Sequence, residues 1–271
     1  MWQSSNPVLS KDDKFSEFYG AMEGKEKSTV ITLQGVVNKT AILTLVAVIA
    51  GTGGYKSFML HPDMLWIGCI ATLVLTLGIY FVIFGDPRKA TYLAPVYAIV
   101  EGAFLGGFTA IAESMLASRG LSAAGGVALQ AFVITISVLL AMLVLYSTRV
   151  IKPNRTFMSI MSVAACGIGI MYLISFMLSM FAGIQLPFIS LGSTMATGMS
   201  GYIGLGLNLF ILGIASFMLI FDFKLIEDKV NAGAPRYMEW FCGFALIVSL
   251  AWIYFEAVKL VLRLSSLFGR D

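Results

Sequence analysis

The sequence has few of the residues on which most enzyme sites depend. It contains one histidine, His61, and three cysteines that lie far apart and form no CxxC pair. A single histidine excludes metal clusters built on several histidines and leaves a Ser-His-Asp relay without support. Isolated cysteines indicate neither a zinc site nor a disulfide framework. We therefore expect no enzymatic activity, no cofactor and no firmly bound metal.

Charged residues are scarce as well. They make up 12% of the chain, the net charge is only +3, and no block of basic residues forms a patch for nucleic acid. Apolar residues reach 58% and the mean hydropathy is +0.88, far outside the range of soluble domains. The composition predicts an integral membrane protein whose principal partner is the lipid bilayer.

Long apolar stretches account for this composition. A helix needs roughly 20 apolar residues to cross the hydrocarbon core of a bilayer, and the stretches lack the alternation expected of membrane β-strands. The predicted fold is an all-α bundle of seven transmembrane helices. The predicted spans are 40–58, 64–84, 92–112, 127–148, 157–182, 202–223 and 240–262.

The N-terminal segment differs from the rest of the chain. Residues 1–38 carry both charge signs and have no apolar core after a basic start, unlike a cleavable signal peptide. We expect a cytosolic, partly disordered tail over 1–38 and the transmembrane domain over 39–271. With seven spans, most of the 18 lysines and arginines fall on the side of the N-terminus. The positive-inside rule then places the N-terminus in the cytoplasm and the C-terminus outside.

Glycine is abundant, with 27 residues, and much of it lies inside the predicted spans. Gly102 and Gly106 occur in "GAFLGG", and several more occur in "GYIGLGLNLFILG". Because small residues let helices approach closely in lipid, we interpret these segments as helix-packing seams and not as phosphate-binding loops.

Carboxylates inside the apolar spans are the main functional candidates, since an acid at a helix centre costs about 2.5 to 3.5 kcal/mol on insertion scales. Glu101 lies near the middle of the third span. One interpretation is a protonated side chain that donates to a neighbouring helix, with Tyr97, four residues earlier, as a possible partner. The other is a functional group.

Asp222 follows the apolar run of "SFMLIFDFKLIED" at the end of the sixth span. The spacing leaves two interpretations open. Asp222 is either an interfacial residue at a helix end, or the end of a polar stripe with Asn208, which lies fourteen residues earlier and thus on nearly the same helix face. In the second case both side chains point into the bundle.

Glu256 lies deep in the seventh span, three residues before Lys259. A local ion pair, with Lys259 extending to the outer interface, is one interpretation. The other is a carboxylate that points inward to a second acid. Two carboxylates that share a site protected from water titrate as a coupled pair, so such a pair responds to pH or holds a cation.

Four segments of the predicted spans carry a family resemblance. They are "VYAIVEGAFLG", "ALQAFVITISVLLAMLVLYSTR", "LFILGIASFMLIFDFKLIED" and "APRYMEWFCGFALIVSLAWIYFEAVKLVLRL". Together they resemble the transmembrane Bax inhibitor motif family, in particular its bacterial Bax inhibitor-1/YccA-like branch, over most of the chain after residue 39. The resemblance implies a seven-helix bundle of the bacterial inner membrane with the last helix at its centre, and a calcium leak controlled by two pH-responsive aspartates on the last two helices.

Within this resemblance Asp222 matches the first aspartate, and Glu256, in "YFEAVKL", replaces the second. A transient calcium ion at these two residues is then expected. The two acids are about ten residues further apart than in the family, so Glu239, at the start of the seventh span, is an alternative partner for Asp222.

Two functions follow as hypotheses. The first is a pH-sensitive cation leak, plausibly for calcium, gated by Asp222 and Glu256 with Asn208 and Glu101 along the path. The second, which relatives in this branch suggest, is a regulator of other membrane proteins or of a membrane-bound protease that itself transports nothing.

Overall fold

The computed structural model describes residues 30–61, 65–151 and 153–269. The protein is 84% helical and has no β-strand among these residues. Seven long helices follow one another along the chain. They are α1 Leu33–Leu60, α2 Leu65–Gly85, α3 Ala90–Ala117, α4 Val127–Ser147, α5 Arg155–Met177, α6 Gly198–Asn231 and α7 Met238–Phe268.

Polar caps explain where two of the helices begin. At α1, Thr32 Oγ1 accepts a hydrogen bond from the Gly35 amide at 2.9 Å. At α5, Asn154 Oδ1 accepts one from the Phe157 amide at 2.7 Å. Each cap satisfies one of the amides that a helix leaves unpaired at its N-terminus.

The cap at Thr32 places the start of α1 before the predicted start of the transmembrane domain. Helix α1 begins at Leu33, so the expected boundary between residues 38 and 39 falls inside the helix. Hydropathy marks the lipid-facing part of a helix, whereas a cap marks its beginning, and here the two differ by about two turns. Residues 1–29 of the predicted, partly disordered tail over 1–38 lie outside the described residues.

Six of the helical segments are long and apolar enough to cross a bilayer. They correspond to the first, third, fourth, fifth, sixth and seventh predicted spans. The stretch Ile70–Gly85 within α2 is apolar but shorter. The chain is therefore a multi-pass, all-helical membrane protein.

A glycine seam joins α1 and α3. A Cβ atom at Gly102 would overlap the backbone of Ala47, and one at Gly106 would overlap the backbone of Gly51. Only residues without a side chain allow the two helices to approach this closely. The packing role predicted for Gly102 and Gly106 is confirmed.

Helix α7 is the most deeply buried of the candidate spans. In its most apolar 18-residue stretch 72% of the residues are buried, against 44% in both α3 and α6 and 6% in α5. It packs against α1, α3, α4 and α6. Polar side chains on α7 are therefore surrounded by protein, and they are the ones that need explanation.

Candidate functional site

Glu256 lies at the centre of a buried polar cluster. Its side chain is fully buried, with 0% exposure. The Tyr172 hydroxyl donates to Oε1 at 2.5 Å, and the Asn208 side-chain amide donates to Oε2 at 2.8 Å. Lys259 Nζ lies 2.9 Å from Oε2. We call these four residues, contributed by α5, α6 and α7, the Glu256 cluster.

Lys259 is held inside the protein and does not extend to the interface. The lysine is only 4% exposed. Its ammonium group lies 4.4 Å from the ring centre of Tyr172 and 4.8 Å from that of Phe255, and it also donates to the Tyr172 hydroxyl. The predicted ion pair with Glu256 is therefore present, but the predicted extension of Lys259 to the interface is wrong. Helix α7 continues for nine residues beyond Lys259, about 13 Å, which is too far for a lysine side chain to bridge.

A second buried cation lies one turn further along α7. Arg263 is 2% exposed and donates to the backbone carbonyls of Phe188 at 2.6 Å and Ser193 at 3.3 Å. These carbonyls belong to the α5–α6 connection. The guanidinium lies directly against Gly204 of α6, where any side chain would overlap it. Arg263 thus fastens the connection between α5 and α6 onto α7, and it interacts electrostatically with Glu256.

The sequence interpretation missed Tyr172 and Arg263. A signal for Arg263 was present, since Glu256, Lys259 and Arg263 follow one another at intervals of three and four residues and share one helix face. Three charged residues on one face of an apolar helix indicate a buried network. No comparable signal marks Tyr172, because nothing in the sequence shows which face of α5 meets α7.

Asp222 lies well inside α6, nine residues before the helix ends. The residue is half-buried, its carboxylate interacts with the Ser249 hydroxyl of α7, and its Oδ2 atom is buried with no hydrogen-bond partner among the described residues. Ser249 is itself eleven residues, or about 16 Å, from the start of α7. The side chain of Asp222 therefore faces α7, as the interpretation with a polar stripe expects.

The structure does not bring Asp222 and Glu256 together. Asp222 faces Ser249, which precedes Glu256 by seven residues, or about 10 Å along α7. Glu256 instead takes Asn208 as its partner on α6. The polar stripe on α6 therefore meets α7 at two levels, since Asn208 reaches Glu256 and Asp222 reaches Ser249.

Glu239 is not a partner of Asp222 either, which corrects the alternative pairing. Its buried carboxylate accepts hydrogen bonds from the Thr32 amide at 3.2 Å and the Thr32 hydroxyl at 3.1 Å. It lies ten residues before Ser249, about 15 Å away along α7. A negative charge at the N-terminus of α1 is favourable to the helix dipole, so Glu239 ties α1 to α7.

Glu101 is half-buried and lines a cavity of about 630 Å³, which we call the lateral groove. Walls of the groove come from α1, α3, α4 and α7. Glu101 has no hydrogen bond or ion pair with another described residue; in particular its neighbour Tyr97 packs edge-on against Phe244 at 4.9 Å. Polar lining residues of the groove include Tyr55, Lys56, Glu101, Thr109, Glu113 and Tyr254.

The four candidate acids therefore occupy separate places. Asp222 and Glu101 approach α7 near the same level, because Asp222 meets Ser249 while Glu101 shares the groove with Ile247 and Leu250. Glu256 lies about two turns further along. Among the described residues no group of three or more His, Cys, Asp or Glu side chains could hold a metal ion. Single carboxylates of this kind attract a passing cation but do not form a resident metal site.

Comparison with known proteins agrees with these observations. No curated protein matches the chain at a significant level. A family model described as Bax inhibitor 1 like matches residues 6–266, which is nearly the whole chain and includes every acid discussed above. The chain therefore belongs to the Bax inhibitor 1 like family.

Proposed function

We propose that the protein is a pH-sensitive leak for cations such as calcium in the bacterial inner membrane. In this proposal the chain spans the membrane seven times, with α7 as the central helix, the N-terminus in the cytoplasm and the C-terminus outside. It acts without catalysis and without a bound cofactor. The burial of α7 supports its central position, and the family supports the general class of protein.

The observation that carries the proposal is the ionic network on the most buried helix. Glu256 and Lys259 form a pair at 2.9 Å with 0% and 5% of their side chains exposed. Such a pair is weak support for a purely stabilising role, because well-packed apolar residues stabilise a core as well or better. A charged network that joins α5, α6 and α7 suits an element that has a closed and an open arrangement.

The charge of Glu256 holds this element together. In the closed arrangement it attracts Lys259, while Tyr172 donates to one carboxylate oxygen and Asn208 to the other. Glu256→Gln removes the attraction for Lys259 without changing the shape of the side chain. We therefore expect this variant to leak more than the parent at neutral pH and to depend less on pH.

Asp222 supplies the approach to the closed element. One oxygen of its carboxylate is buried and has no hydrogen-bond partner among the described residues. It lies on the same polar stripe of α6 as Asn208, which contacts Glu256. A carboxylate oxygen without a partner is the contact that a partly dehydrated cation needs. Asp222→Asn removes the charge but keeps the shape, and it should reduce calcium flux about tenfold or more if it removes about 1.4 kcal/mol of attraction.

The test is calcium flux into liposomes at acid and neutral pH. Asp228 offers a matched control, since it is on the same helix, is exposed and forms an ion pair with Lys224. Asp228→Asn should leave the flux unchanged while Asp222→Asn lowers it. Equal flux from the parent and Asp222→Asn at both pH values would contradict the proposed role of the carboxylates.

A second function is favoured by a different observation. A small polar cavity of about 300 Å³ lies where the N-terminal segment joins α1, lined in part by Gln34, Lys39 and Arg236. A regulator of membrane proteins or of a membrane-bound protease would present its N-terminal tail here. Deletion of residues 1–29, which keeps the Thr32 cap intact, distinguishes the two functions. Loss of protease binding with unchanged calcium flux would favour regulation, and the reverse would favour the leak.

A further inference from the structure

The edge of the lateral groove is formed by exposed apolar residues. The apolar residues at its edge, Val48 on α1 and Leu129 and Phe132 on α4, are 47%, 56% and 41% exposed. These residues lie on helices that are long and apolar enough to cross the bilayer, so the edge of the groove faces the hydrocarbon. A molecule that enters this groove must first dissolve in the membrane.

The size of the groove suits a small ligand. A cavity of about 630 Å³ lies within the range of roughly 300 to 1,000 Å³ that is typical of small-molecule sites. Most of its lining is apolar, contributed by residues such as Leu105, Ile136 and Leu250. Such a lining requires a ligand with a large apolar surface.

Charge determines the class of ligand more closely. Three charged side chains line the groove, namely the acids Glu101 and Glu113 and the base Lys56. Both carboxylate oxygens of Glu113 already have partners within the protein, because Glu113 accepts hydrogen bonds from the Tyr55 hydroxyl at 2.5 Å and from the Val127 amide at 2.9 Å. Lys56 is exposed at the groove's end. Glu101 is the acid within the groove that has no described hydrogen-bond partner, so it can accept a positively charged group.

Depth argues against a phospholipid headgroup as the source of that charge. Glu101 is eleven residues, about 16 Å, from the start of α3 and sixteen residues, about 24 Å, from its end. Headgroups lie at the interfaces, whereas Glu101 lies near the middle of the hydrocarbon core. An acyl chain would reach this depth but would bury the carboxylate without a partner, which is unfavourable.

We propose that the lateral groove binds a lipophilic organic cation, whose apolar body occupies the space between α1 and α4 and whose charge lies against the Glu101 carboxylate. The Tyr55 and Tyr254 rings add aromatic surface to the walls, and aromatic faces attract cations. This inference is tested separately from the leak function, because probe binding is measured without ion flux and because Asp222 and Glu256, the acids proposed to gate the leak, do not line the groove.

The experiment compares a cation with a neutral molecule of similar shape. The full chain is reconstituted in lipid nanodiscs, and the binding of tetraphenylphosphonium and of triphenylphosphine oxide is measured by equilibrium dialysis. We expect the parent protein to prefer the cation by about tenfold or more, as one counter-charge in a low-dielectric site provides. Glu101→Gln should abolish this preference and leave the binding of the neutral probe unchanged.

A pair of neighbouring variants tests the location. Val48 lines the groove, whereas Ile49 is 63% exposed and does not line it. Val48→Trp should therefore weaken tetraphenylphosphonium binding several-fold, and Ile49→Trp should not. Equal binding of both probes to the parent would indicate an apolar or lipid-occupied groove and would overturn the proposal. So would a cation preference that survives Glu101→Gln, or equal effects of the two tryptophan variants.

Discussion

The buried pair between Glu256 and Lys259 permits a quantitative prediction about stability. Either residue would destabilise the folded protein if its partner were removed, because an unpaired charge would then remain buried away from water. Glu256 has two neutral donors besides Lys259, and Lys259 has one hydroxyl and two aromatic rings besides Glu256. Removal of one partner from a buried ion pair typically costs about 3 to 5 kcal/mol, since the other charge remains buried.

The double variant should recover most of this loss. In Glu256→Gln/Lys259→Met, the glutamine oxygen can still accept from Asn208 while its amide nitrogen donates to the Tyr172 hydroxyl, and the methionine can pack against the rings that surround the lysine. We expect each single variant to lower the free energy of unfolding by about 3 kcal/mol, and the double variant to remain within about 1 to 2 kcal/mol of the parent. The coupling energy of the double-mutant cycle is then about 4 to 5 kcal/mol.

The assay is equilibrium unfolding of the purified protein by SDS in mixed micelles. An exposed pair on α6 serves as the control, with Lys224 Nζ 3.1 Å from Asp228 Oδ1 and side-chain exposures of 34% and 58%. The same cycle at this pair should give at most about 0.5 kcal/mol of coupling. The reasoning is refuted if the buried and exposed cycles give equal coupling energies, because burial would then add nothing to the pair.

Three further predictions concern packing and anchoring, and each is measured by the same unfolding assay. Gly106→Ala should destabilise the protein because its Cβ overlaps the α1 backbone, whereas Gly206→Ala, which meets open space, should be neutral or stabilise by up to about 1 kcal/mol. Glu239→Gln should cost more than Thr32→Ala, for which the loss of the cap hydroxyl is worth about 1 kcal/mol; equal costs would mean that the Glu239 charge contributes nothing. Arg263→Lys should destabilise the protein and expose the α5–α6 connection to proteolysis, because the single side-chain nitrogen of lysine cannot reach both carbonyls that the two guanidinium nitrogens reach.

The sequence predicted the class of fold because hydrophobicity along the chain is a direct record of contact with lipid. It did not predict where helices end, because polar residues can continue a helix into water. Helix α6 runs to Asn231, eight residues past the predicted end of its span at Phe223, and an ion pair between Lys224 and Asp228 supports the extension. The depth of an acid therefore cannot be judged from its distance to the first charged residue.

The candidate site was predicted as a set of residues but not as a set of contacts. Each acid on α6 or α7 was recognised because a charge in an apolar segment is rare. Partners depend on how far one helix is displaced along another, and a sequence does not record that displacement. The family resemblance pairs Asp222 with Glu256, whereas in the structure Asp222 contacts Ser249 and Glu256 contacts Asn208.

The order of charges along α7 bears on how a cation leak would be kept closed. At the level of Ser249 the charged residues beside α7 are acids, Asp222 on one side and Glu101 on another. Further along, Glu256 is accompanied by two buried cations, Lys259 and Arg263, so that level carries a net positive charge. A permeating cation that is attracted to the first level is repelled at the second, because the positive charges of Lys259 and Arg263 are close to the path and are not screened by water. Under the proposed function, conduction therefore requires these two side chains to leave the path. Since Arg263 is bonded to the α5–α6 connection, displacement of that connection is the structural change that would open it.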